Sequence, residues 1–119
     1  MIPMAARGKT YARAAPLDER VVEPVPGLDD LATTLLTLRT SEEAQRFLRD
    51  LCTLPELEAL AHRWQTVRLL GEGMPYLEIA ERVPTSTATV TRVAQWLHHG
   101  TGGYRLALER SPSRSKQGE

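Results

Sequence analysis

Apolar residues recur three and four positions apart through the middle of the chain. Leu28, Leu31, Ala32, Leu35 and Leu36 form one run, and Ala44, Phe47, Leu48 and Leu51 form a second after "RTSEE". That spacing places side chains on one face of an α-helix. A longer third run, Leu57, Leu60, Ala61, Trp64, Val67 and Leu70, follows "TLPE". No stretch alternates apolar and polar residues long enough to make a strand, so the pattern predicts an all-α protein. Start and stop signals bracket the runs. Thr40 with Glu43 and Thr53 with Glu56 read as capping boxes, in which the hydroxyl serves the third amide and the carboxylate returns to the cap. Gly71 and Gly73 end the third helix.

The ends of the chain lack this periodicity. Residues 1–27 are rich in Ala, Arg and Pro and finish in "EPVPG", which reads as a flexible N-terminal arm. Residues 111–119, "SPSRSKQGE", read as a disordered tail. The folded domain is expected over residues 28–110. A domain of roughly 80 residues buries a limited fraction of its surface, so pairing with a second copy would help to stabilise it.

From Tyr76 to Leu97 the sequence "YLEIAERVPTSTATVTRVAQWL" fits a helix-turn-helix, two short helices set steeply by a tight turn. The second helix passes over the fifth position of the unit, which must be small, and Ala80 stands there. Ile79, Val83, Val90 and Val93 take the places that lock the two helices together. Pro84 disfavours helical geometry at Val83, so the first helix should end at about Arg82. Ser86 can cap the second helix and also reach a DNA phosphate. Thr87, Ala88, Thr91, Arg92 and Gln95 are left facing outward. Such side chains can read base edges: Arg pairs with guanine, Gln with adenine, and the methyls of Ala and Thr meet the thymine methyl. The same pattern also suits an ordinary helical hairpin with hydroxyl caps.

Composition changes the picture only locally. The 119 residues carry a formal net charge of +0. Residues 85–116, however, hold Arg92, Arg105, Arg110, Arg114 and Lys116 against Glu109 alone, whereas residues 17–34 hold Asp18, Glu19, Glu23, Asp29 and Asp30 against Arg20 alone. Cys52 is the single cysteine, which excludes a disulfide within the chain and suits a reducing, cytoplasmic setting. No apolar run has the length of a signal peptide or a membrane span. His62, His98 and His99 with one cysteine are too few for a zinc site, and the adjacent pair is expected at the surface near a helix end. Cys52 as a nucleophile is less fitting than a buried structural thiol at the apolar end of a helix. "GTGG" lacks a preceding strand and reads as a connector, not a phosphate loop. Trp64 and Trp96 lie on apolar stripes, as core or dimer contacts.

The segments "RTSEEAQRFLRDLCTLPELEALAHRW", "YLEIAERV", "TSTATVTRV" and "GTGGYRLALER" resemble the tryptophan repressor superfamily, and within it the YerC/YecD branch. The resemblance runs from about Leu28 to Arg110. It implies an all-helical, intertwined homodimer whose helix-turn-helix units face successive turns of double-stranded DNA. It also implies an effector pocket, because the two arginines that flank the repressor's bound indole fall on Arg63 and Arg92. This chain departs from the pattern in three places. Pro84 stands where the family's turn usually carries glycine, so the turn must be shaped without a positive φ. Val93 and Trp96 stand where the repressor has glycine and serine, and both add bulk to the pocket. Arg63 is therefore read first as a solvated or ion-paired helix residue.

Together these features predict a cytoplasmic, homodimeric, sequence-specific DNA-binding repressor. It is expected to have no catalytic activity or cofactor and not to depend on tryptophan. A helical interaction module that has lost DNA binding is the alternative, with an enzyme using Cys52 behind it.

Overall fold

A computed structural model of the chain describes residues 24–111, all of whose regular structure is helical. The arm and tail expected from the sequence lie outside the described residues, apart from residues 24–27 and 111. Six helices follow in order: α1 Leu28–Leu35, α2 Ser41–Leu51, α3 Leu54–Gly71, α4 Tyr76–Arg82, α5 Thr87–His99 and α6 Gly103–Arg110.

The helix ends obey local chemistry. At α3, Thr53 Oγ1 accepts from the Glu56 amide at 3.3 Å, and the Thr53 amide donates to Glu56 Oε1 at 2.8 Å, so the expected capping box is complete. At α2 it is not. Thr40 Oγ1 does accept from the Glu43 amide, but Glu43 Oε1 takes the amide of Arg39, one residue further out. The carboxylate still satisfies a donor just ahead of the helix. α3 closes with Gly73 at φ 85°, where the Gly73 amide meets the Leu70 carbonyl and the Met74 amide meets that of Leu69. This double bond pattern is the Schellman motif, and the left-handed residue it needs is glycine.

Burial divides the chain sharply. Val67, Leu70, Ile79, Val83, Val90, Val93, Ala94 and Leu97 form one buried cluster, contributed by the second half of α3, by α4 and its end, and by α5. Met74, Tyr104 and Leu108 pack around it. Among the described residues Thr66 is the buried polar one, and its hydroxyl donates to the His62 carbonyl at 2.8 Å, so that donor is satisfied. By contrast α1 and α2 contribute no buried residue. The apolar stripe of α3 splits accordingly: Val67 and Leu70 are enclosed, whereas Leu60 keeps 44% of its surface exposed. Leu36, at 85%, is barer still. Cys52 is half-exposed, not the buried thiol the sequence suggested, because the face of α2 that precedes it meets too little of its own chain.

Candidate nucleic-acid interface

α4 and α5 form the helix-turn-helix, and its hinge follows from the proline. Val83 leaves the helix at φ −104°, ψ 117°, the extended geometry imposed on a residue before proline. Among the described residues only glycines take a positive φ, none of them between Val83 and Ser86, so the turn is built without a left-handed position. Ser86 then starts α5 as its cap: its Oγ accepts from the Thr89 amide at 3.1 Å and donates to Thr89 Oγ1 at 3.2 Å. Ile79 and Val83 meet Val90 and Val93 in the core, with Ala80 packed beside them.

α5 presents two opposite faces. Val90, Val93, Ala94 and Leu97 point into the core. Thr87, Ala88, Thr91, Arg92 and Gln95 are all exposed, together with Ser86 at the cap. Four of the five outward side chains on the helix are short or uncharged, and Arg92 supplies the cation. α5 carries no acidic residue in its first turn. On α4, Arg82 lies 3.5 Å from Glu78 in an exposed ion pair, which contributes little stability.

Behind this face, a cleft of about 590 Å³ opens between α3 and α5. Arg63 and the buried Thr66 line it from α3, Arg92, Val93 and Trp96 from α5, and Tyr104 from α6. The two arginines thus stand on opposite walls. Val93 is a core residue that also lines the cleft. Trp96, 52% exposed, stands at the rim and is not a core contact, whereas Trp64 packs on the core with the Arg68 guanidinium 5.7 Å from its ring centroid. Among the described residues no three His, Cys, Asp or Glu side chains converge on a metal position. No described helix is long and apolar enough to cross a membrane.

Two α6 residues escaped the sequence reading. Tyr104 completes the cleft wall, and nothing local announces that. Arg105, counted above among the cations of residues 85–116, is part-buried: its Nε donates to the Leu97 carbonyl at 3.0 Å and its Nη2 to that of His98. An arginine shortly after a helix-ending glycine was the available signal, since basic side chains often bind the last carbonyls of a helix. His98, expected at the surface, is half-buried while His99 is exposed. Desolvation, helped by the neighbouring charges of His99 and Arg105, holds the His98 pKa below the usual histidine value.

Residues 26–112 match the family described as Trp repressor protein. The chain is 42% identical over 83 residues to the uncharacterized protein YerC of Bacillus subtilis, spanning 70% of this chain and 80% of that one. The crystal structure of a TrpR-like protein from Eubacterium eligens superposes with a TM-score of 0.69 at 33% identity, covering 78% of this chain and 94% of that one. A Staphylococcus aureus crystal structure does so at 0.68 with 36% identity, covering 73% and 87%.

Proposed function

This chain belongs to the Trp repressor family, and from that membership we propose that it is a sequence-specific DNA-binding repressor acting as a homodimer in the cytoplasm. The observation that carries the reading is the exposed face of α5, where Thr87, Ala88, Thr91, Arg92 and Gln95 stand outward from a helix whose other side is locked in the core. A helix held this rigidly can offer the same groups to each major groove it enters, and the short threonines and alanine allow close approach to the bases. Ser86, at the helix start, is placed for a backbone phosphate. The bare apolar surface of α1, α2 and the first half of α3 supports the dimer, because a second copy would cover it.

Selection of bound duplexes from a randomised library, followed by titration of the enriched duplex at rising salt, tests the reading. Affinity should fall linearly with salt on logarithmic axes as phosphate contacts release counterions. Arg92→Ala should weaken the enriched duplex by about 1–3 kcal/mol and relax preference at one base pair. A chain that enriches no sequence, or an Arg92→Ala protein with unchanged affinity and preference, would leave only an interaction module.

The same reading makes the repressor independent of free tryptophan. Val93 and Trp96 line the cleft where the resemblance has glycine and serine, so an indole would meet a branched and an aromatic side chain there in place of close backbone contact. Calorimetry should show little heat on adding tryptophan, and DNA affinity should not change with it. Saturable binding that strengthens the DNA complex would overturn this.

A further inference from the structure

The last carbonyls of a helix have no amide four residues on to meet them. In α5 the Gly100 amide takes the Trp96 carbonyl at 2.9 Å, but those of Leu97 and His98 would need partners beyond the helix. Arg105 supplies both from the next helix, through two adjacent nitrogens of one guanidinium. The corner between the helices is shaped to allow it. Gly102 sits at φ 96°, and a Cβ on Gly100 would come within 2.5 Å of the Trp96 carbonyl oxygen and 2.6 Å of its ring. The chain therefore doubles back closely under Trp96, and α6 returns along the end of α5. At its other end α6 rests on α3, where Leu108 packs so near Gly71 that a Cβ there would lie 3.3 Å from Leu108 Cδ1.

α6 is thus tied to the outward-reading helix by Arg105 and to the long helix α3 by Leu108. We infer that Arg105 is a positioning residue for DNA recognition: its guanidinium bridges the Leu97 and His98 carbonyls, making α6 a strut that sets the angle of α5 against α3. This rests on the DNA-binding reading above. The fork geometry matters, because a planar guanidinium can span two carbonyls whereas a lysine ammonium is a point donor. The positive charge also lies at the negative end of the α5 dipole. Arg105 acts through α5 and is spent on carbonyls, so it does not serve as a phosphate ligand.

The test compares wild type, Arg105→Gln and Arg105→Lys on the duplex enriched by the wild type and on an unrelated duplex, across a salt series. Hydrogen exchange at the amides of residues 97–101 is followed in the free proteins. Arg105→Gln should lower the ratio of specific to non-specific affinity about tenfold, with the salt slope unchanged and exchange at the end of α5 accelerated. Arg105→Lys should fall between the two. An unchanged ratio overturns the inference, as does a salt slope reduced by about one charge with exchange at wild-type rates, which marks a phosphate contact. If Arg105→Gln does not fold, Arg105→Lys decides by the same criteria. If the wild type enriches no duplex, the DNA reading fails separately, and the exchange rates alone decide whether Arg105 holds the end of α5.

Discussion

Leu97→Ala is expected to lower the free energy of unfolding by about 2–5 kcal/mol, the range for emptying a leucine site in a close-packed interior. Leu97 is 1% exposed and sits in the cluster where α3, α4 and α5 meet, alongside Val67, Ile79 and Val90. Its neighbours come from three helices, and collapsing the cavity would require α5 to shift against both of the others. The cost should therefore lie toward the upper part of the range. Urea unfolding of both proteins at one protein concentration measures it. DNA titrations below the new midpoint should show the original sequence preference, because Leu97 points away from the outward face. A loss under about 1 kcal/mol would mean that the cluster repacks freely and that α5 is not rigidly held.

Leu60→Glu is expected to convert a dimer into a monomer. Leu60 keeps 44% of its surface exposed on the half of α3 that carries no core residue, near the bare Leu54 and Leu51 in sequence. A partner covering that face would enclose the new carboxylate without a cation, at a cost on the order of several kcal/mol. Light scattering should give twice 13.3 kDa for the wild type and 13.3 kDa for the variant. The variant should also lose helical signal, because α1 and α2 are short helices with nothing buried to hold them. Wild-type protein of monomeric mass would sink the homodimer. A dimeric Leu60→Glu would place the shared face elsewhere.

What could be read from the sequence is what depends on near neighbours along the chain. The Thr53 and Glu56 pair, Gly73 at the close of α3, the break before Pro84 and the Ser86 cap are contacts within about four residues, and each stands as the pattern predicts. The two faces of α5 follow from its periodicity in the same way. Even local signals can slip, however, since Glu43 chooses the Arg39 amide over that of Thr40. Contacts made across a chain reversal were not legible. Arg105 looked like one more surface cation because its partners lie seven and eight residues back, around a corner whose closeness depends on Gly100 and Gly102. Tyr104 at the cleft and the half-burial of His98 come from that same reversal. The split exposure of α3 was hidden for a different reason: one apolar stripe serves two purposes, and periodicity cannot say where the first ends.

The uneven burial along this chain means that its two halves answer to different laws. Val67, Ile79, Val90 and Leu97 enclose one another within a single chain, so dilution leaves their contacts untouched. α1 and α2 have no such enclosure, and in the dimeric reading their order is subject to mass action. In that reading scarcity would act like a mutation on the N-terminal half alone, leaving an intact α4–α5 unit on a frayed support. Paired units accumulate with the square of the chain's abundance while it is scarce, so occupancy of a paired site would rise more steeply than synthesis. Such a repressor would gauge its own gene dosage without needing a small molecule to report it.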